Sequence, residues 1–254
     1  MHAVLTGARF QVLAYRDDLQ GVQALLVAPV MAYLLTAVLA HSDRADLAGH
    51  AITATGLMTL WNVTVATAGQ FITRERTLGT LELTLAARVP PAATTTGRAL
   101  VVTTVGCLGL VEAVVVTAIV LGVTPTVAPL TLAVALALAV LTTTAGALLV
   151  AAAFVLSRTT RVYQAALTYP VYLLGGLLVP VDQLPAWAQW PCRLVPLSWN
   201  ADLLRAAFAG RGLAELTGPV TAAALLGVLG WGAGALALAH VTARACRTGE
   251  VLHA

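Results

Sequence analysis

Glu75 and Glu82 stand seven positions apart in FITRERTLGTLELTLAAR, residues 71–88, a charged and glycine-punctuated island between two long apolar runs. Seven residues is about two helical turns, so both carboxylates fall on one face, with Arg74 and Arg76 flanking the first. A short helix of this kind at a membrane surface suits the arginines of a partner and can receive a mechanical push from a soluble protein. One other acid stands out. Glu112 lies well inside an apolar run, and its i±3 and i±4 neighbours Leu108, Gly109, Val115 and Val116 offer it no side-chain partner. It is therefore protonated, paired with another helix or facing a wet cavity, and both a structural and a proton-carrying or substrate role stay open.

Other chemistry is excluded by residue type. All 14 basic side chains are arginine, so the chain lacks the lysine that a Walker A loop or a Schiff-base enzyme needs. If ATP drives it, another polypeptide binds the ATP. The five histidines, His2, His41, His50, His240 and His253, show no zinc-protease spacing. Cys107, Cys192 and Cys246 are too widely spread to form a disulfide or a metal set, so no metal site is expected.

The elements that must hold these residues are membrane helices. The 254 residues are 59% hydrophobic and only 10% charged, with a mean hydropathy of +0.88. Soluble domains carry roughly 25% charged residues. Apolar runs near 20 residues match a helix crossing a hydrocarbon core about 30 Å thick, and weak alternation with few aromatics argues against a barrel.

Residues 1–18 read as an amphipathic elbow in the interface, with Leu5, Ala8, Val12 and Tyr15 on one face and Arg9 and Arg16 at its edge. Spans are expected at 22–40, 51–72, 97–122, 129–156, 162–179 and 216–242. Val38-Leu39-Ala40 has the form of a signal cleavage site, but Asp17 and Asp18 before a long run favour a retained span. The second span carries Trp61, Asn62, Thr64, Thr67 and Gln70, which predicts that it faces protein or a cavity. Residues 180–212 hold Trp187, Trp190 and Trp199 among prolines, as expected of short helices at headgroup depth, and Ser198 to Gly212 reads as an outer polar helix. With both termini inside, ten arginines are cytoplasmic and four (Arg44, Arg193, Arg205, Arg211) are outside, as the positive-inside rule prefers. Arginines beside spans form no basic face, so no nucleic acid is expected as a partner.

Two motifs resemble the type-2 ABC exporter permeases, a family that includes drug- and antibiotic-efflux subunits. Glu75-x-x-x-Gly79-Thr80-Leu81-Glu82, followed by Gly97-Arg98, is similar to that family's coupling-helix signature. GGLLVPVDQLPAW from Gly175 to Trp187, then Pro196-Leu197 and Arg205, is similar to its fifth span and reentrant outer helices. A Thr-Pro pair often follows the coupling acids in the family, whereas Ala86-Ala87-Arg88-Val89-Pro90 stands here.

The resemblance implies an all-α integral membrane fold in a single transmembrane domain over 1–254. That fold has six transmembrane helices, an N-terminal amphipathic elbow helix, a cytoplasmic coupling region at 73–89 and an extracellular reentrant segment at 180–212. It implies two cytosolic ATPase subunits carrying the ATP and Mg, with no cofactor on this chain, and a second permease, identical or homologous, in a bacterial plasma membrane. Arg74, Glu75, Arg76, Gly79, Thr80, Leu81 and Glu82 would couple to the ATPase. Trp61, Asn62, Thr64, Gln70, Glu112, Tyr163, Tyr169 and Tyr172 are candidates for the substrate path. Gly175, Gly176, Pro180, Leu184 and Pro185 would shape the reentrant segment. The substrate would be amphipathic, either a drug-like natural product or a lipid- or glycan-linked molecule. Two other classes remain: an ATP-independent proton-coupled transporter centred on Glu112, and an intramembrane enzyme, for which His240 has no apparent serine or acid partner at matching depth.

Overall fold

The computed structural model describes residues 2–14, 19–42, 44–77, 91–122, 125–155 and 160–248. Over these residues the chain is helical, with one isolated bridge between Thr126 and Ala209 and no strand. In chain order the helices are α1 His2–Ala14, α2 Leu19–His41, α3 Ala48–Thr77, α4 Pro91–Gly106 and α5 Leu108–Leu121. Then follow α6 Pro129–Val155, α7 Thr160–Leu174, α8 Ala186–Arg193, α9 Pro196–Phe208 and α10 Thr217–Thr248. Three helical stretches are long and apolar enough to cross a membrane: Ala92–Leu121, Pro129–Phe154 and Leu213–Arg244. Shorter apolar helices run over Ala3–Ala14 and Leu26–His41.

The first of those stretches joins α4 and α5 into one rod. At Cys107 the amide still donates to the Thr103 and Thr104 carbonyls, each at 3.2 Å, so the hydrogen-bond ladder continues across the join. The rod ends at Gly122, whose φ of 66° and N–H to the Ala118 carbonyl at 3.0 Å form a left-handed cap.

Packing between helices runs through small residues. In lipid there is little hydrophobic gain from bringing apolar helices together, so contact depends on close approach of the backbones. A Cβ added to Gly56 would come within 2.5 Å of Leu110 Cδ1, and one on Gly109 within 2.5 Å of Thr59 Cγ2, so α3 and α5 nearly touch there. At Gly146 of α6 the space beyond the backbone is filled by the Trp61 ring. Along α10, Gly227, Gly230 and Gly234 lie on α6 against Thr142, Ala145 and Leu148. Of the three membrane-length stretches α6 is the most enclosed, with α3, α4, α9 and α10 around it.

Two expectations are corrected. α7 stops at Leu174, five residues short of 179, because Gly175 and Gly176 turn the chain; Gly176 has φ 61°. The outer polar helix expected at Ser198 to Gly212 is instead α9, which begins with a proline at its first turn and is largely buried. Its Leu197, Ala201, Leu204 and Phe208 pack into the bundle, where Phe208 Cβ lies 3.2 Å from the Cβ position of Gly49. Asp202, Arg205 and Arg211 made this stretch look solvated, yet the apolar residues recur at helical spacing and decide its burial.

The glycine contacts make opposite predictions for neighbouring positions. Gly234→Ala would set a Cβ 2.8 Å from Leu148 Cβ and 3.2 Å from the Leu149 amide, atoms that cannot swing aside. It is expected to destabilise by about 1–3 kcal/mol. Gly232→Ala meets nothing within 4 Å and is expected to stabilise by about 0.4–1 kcal/mol through reduced unfolded-state entropy. Thermal melts of the two purified variants in one detergent would read the difference, and equal shifts would contradict the α6–α10 contact.

Candidate functional site

The residues expected to meet an ATPase divide at the end of α3. Arg74, Glu75 and Arg76 belong to its last turns, which continue without a break through the expected second span to Thr77, and their side chains lie outside the described residues. Gly79, Thr80, Leu81 and Glu82 lie outside the described residues altogether.

What the structure adds is the junction beside them. α1 crosses the first turns of α4 at backbone contact: a Cβ on Gly7 would overlap the Thr94 carbonyl, and one on Gly97 the Val4 carbonyl. The face of α1 turned to α4 is small or polar, with Gly7 and Gln11 buried, while Leu5, Phe10, Val12 and Leu13 are at least half exposed. Arg98, next to Gly97, is 7% exposed. Its Nε donates to Gln11 Oε1 at 3.3 Å, and its guanidinium carbon lies 5.0 Å from the Phe10 ring centre and 4.2 Å from that of Phe71. Sequence reading had taken Gly97-Arg98 as the opening of a span and as the close of the coupling-helix signature, with no role against α1. The available signal was Gly7 and Gln11 one turn apart on the same face, opposite Leu5, Val12 and Leu13.

Within the bundle, several polar residues of α3 are satisfied by their own helix. Thr64 and Thr67 each donate to the carbonyl four residues back, Leu60 and Val63, at 2.7 Å. Trp61 is buried, and its Nε1 has no hydrogen-bond partner among the described residues. Asn62 is exposed and shares its face with a tyrosine of α7. The Tyr172 hydroxyl donates to the Met58 carbonyl at 3.0 Å, one turn before Asn62, whose side chain also reaches that hydroxyl. Tyr169, three residues earlier on α7, is 74% exposed. Thus Asn62, Tyr169 and Tyr172 come together between α3 and α7, while the side chains of Gln70 and Tyr163 lie outside the described residues. Glu112 is half-buried on α5, and its Oε2 is buried with no partner among the described residues.

At the other end of the bundle, residues 175–208 are knitted by charge. Gly175 and Gly176 are buried, and the Arg205 guanidinium donates to the Gly176 carbonyl and, at 3.3 Å, to that of Leu177. Arg205 also meets Asp202 at 3.3 Å, Asp202 meets Arg193, and Arg193 meets Asp182 at 2.8 Å. Burial alone would lower the Arg193 pKa, but Asp202 and then Asp182 outweigh it and raise it above its ordinary value. The same guanidinium stacks on Trp199 at 4.4 Å, and Trp199 Nε1 donates to the Arg193 carbonyl at 2.9 Å. Pro180 and Pro185 start the two short helices of this segment, and the Leu184 carbonyl accepts from Gln189 Nε2 at 2.8 Å. Below it, Asn200 is fully buried and donates to Thr142 Oγ1 of α6 at 2.6 Å. A cavity of ≈ 240 Å³ opens between α2, α3 and residues 178–183, lined by Leu35, Leu39, Ala51 and Leu178 with His50 and Gln183.

A family model described as ABC-2 type transporter matches residues 3–209, from α1 through the end of α9. The chain belongs to that family. It is the permease component of an ABC transporter and a multi-pass membrane protein. Among curated proteins none matches the chain.

The charge lattice around Arg205 predicts the consequence of removing it. Its side chain is 10% exposed, so Arg205→Met keeps the apolar stem but leaves two carbonyls and part of Asp202 without their donor. A loss of about 1.5–3 kcal/mol is expected, the worth of hydrogen bonds to a charged group. Arg44→Met, at an exposed and solvent-screened pair whose partner is Asp46, is expected to leave the melting temperature unchanged. Thermal denaturation of the permease variants measures both.

Proposed function

We propose that this permease is the membrane subunit of an ATP-driven exporter of an amphipathic small molecule in a bacterial plasma membrane. The observation that carries the reading is the family match over residues 3–209, which takes in the charged stretch and the charge-knit outer segment together. Six spans would be formed by α2, α3, the α4–α5 rod, α6, α7 and α10, with both termini cytoplasmic. Ten arginines against four support that orientation. The exposed apolar face of α1, Leu5, Val12 and Leu13, supports its lying in the interface as an elbow.

In this arrangement two cytosolic ATPases, holding ATP and Mg, press on residues 73–89 of two permeases, identical or homologous. Closure of the ATPases tilts the spans and opens a cavity between the permeases outward. Asn62, Tyr169 and Tyr172 offer that cavity an amide and phenol groups on an apolar wall, which suits a drug-like or lipid-linked molecule with few charges. The lattice of Arg193, Arg205, Asp182 and Asp202 holds the outer segment over its mouth.

The test is copurification. Extracted in mild detergent from its native membrane, the wild-type chain is expected to carry a P-loop ATPase with vanadate-sensitive activity. Glu82→Arg reverses one charge of the coupling pair and is expected to lower that association or activity severalfold while the permease still folds. Absence of any copurifying ATPase, under conditions that preserve other membrane complexes, would sink the reading.

A further inference from the structure

We infer that Arg98 is a positioning residue that ties α1, the start of α4 and the end of α3 into one mechanical unit, so that a push on the coupling segment is delivered to the α4–α5 rod. The inference deepens the exporter reading and rests on it for the origin of the push.

The argument begins with reach. Phe71 is three residues before Arg74, less than one turn, and the helix runs unbroken through both. Whatever moves the segment after Thr77 therefore moves the Phe71 ring. That ring is stacked at 4.2 Å on the Arg98 guanidinium, which also faces Phe10 and hydrogen-bonds Gln11 of α1. One planar cation so contacts three helices.

The surroundings leave the cation little freedom. Gln11 is 2% and Phe71 4% exposed, and the Gly7 and Gly97 contacts bring the α1 and α4 backbones together immediately beside it. Glycine at both positions removes the side chains that would otherwise separate the two helices, and the arginine then spans the notch where α3 joins them. A cation at this depth is costly in an apolar setting unless held by such groups, so displacing it from Phe71 or Gln11 carries a penalty that opposes sliding of α1 over α4. Downstream, α4 is continuous with α5 through Cys107, so displacement at Arg98 reaches Leu121 as movement of a single rod.

The chemistry separates this role from plain membrane anchoring. Lysine keeps the charge and can reach the interface, but it lacks the flat guanidinium that lies against two rings while donating sideways to an amide. Arg98→Lys should therefore preserve insertion and lose the tie.

The experiment uses the full chain in lipid nanodiscs, with Cys107, Cys192 and Cys246 replaced and spin labels placed at exposed sites for pulsed dipolar distance measurement. Labels at Leu13 and Ile119 report α1 against the rod, and labels at Leu130 and Leu236 report α6 against α10. In wild type both distributions are expected to be narrow. In Arg98→Lys and Arg98→Ala the first is expected to broaden and the second to stay unchanged. An unchanged first pair overturns the inference, and so does broadening of both pairs, which would mark Arg98 as a general folding requirement. A second arm adds the copurified ATPase with ATP and vanadate, reading Leu13 and Ile119 each against Leu130. Wild type is expected to shift at both labels, and Arg98→Lys to lose the Ile119 shift. A shift at both that persists in Arg98→Lys overturns the inference alone. No shift at either label in wild type overturns instead the ATP-driven reading on which the inference depends.

Discussion

Close approach of helix backbones at small residues is the constraint on which this structure depends. A membrane offers no exclusion of apolar surface from water to press helices together, so van der Waals contact at short range has to do it. Gly56 and Gly109 bring α3 against α5, and Gly227, Gly230 and Gly234 bring α10 against α6. Larger side chains at those points would hold the axes apart and forfeit dispersion contacts along the whole crossing. The large apolar residues are left outward instead: Leu26, Val30 and Leu34 on α2, Val111, Val115 and Ile119 on α5, and Leu225, Val228 and Leu236 on α10 are all more than half exposed. In a soluble protein that pattern would mark aggregation, whereas here it marks contact with lipid or with another subunit.

Small-residue packing also explains why the bundle tolerates so many hydroxyls. Thr53, Thr64, Thr67, Thr96, Thr142 and Thr144 each donate to the carbonyl four residues earlier, so each occupies little volume and leaves few polar atoms unpaired. Where two such hydroxyls face each other they bridge helices, as Thr103 and Thr144 do at 3.1 Å between α4 and α6. Two largely buried arginines that bond outside their own helix sit where irregular pieces meet. Arg98 does so where α1 crosses α4, and Arg205 where α7 ends in two glycines and its carbonyls need a donor.

Much of the helix frame was legible from composition, because the length of an apolar run sets the length of the helix that carries it. α6 begins at the residue expected, Pro129, and ends at Val155 beside the expected 156; α2 and α10 start within three residues of expectation. The misses have physical causes. The helix over the expected third span begins at Pro91 instead of Gly97, and its first turns lie against α1. α9 was misread because Asp202 and Arg205 pair with each other and with Arg193, which cancels charge that a linear reading counts as solvated. The polar set of α3 signalled a protected face, yet Thr64 turns back on its own helix and Asn62 faces outward beside Tyr172, a distinction that depends on rotamer and partner and not on residue type. Glu75 and Glu82 were legible only as a pattern: sharing a face needs a helical segment between them, and the residues from 78 to 90 lie outside those described.

The distribution of contacts sets where motion can occur. α6, α9 and α10 form one block, held by glycine contacts along α10 and by Asn200 donating into α6. α1, α4, α5 and the end of α3 form another, held by Gly7, Gly97, Gly109 and Arg98. Between the blocks Thr103 and Thr144 share a hydroxyl pair worth about 1 kcal/mol, the Trp61 ring is seated on Gly146, and Ala92 packs against Leu148, Ala152 and Leu238. A ring resting on a bare backbone can slide with little loss of contact, while interlocked glycine crossings cannot. On the reading proposed above, displacement applied at the foot of α3 would meet the face between α3–α4 and α6 first, while the outer segment is tied to α6 through Asn200.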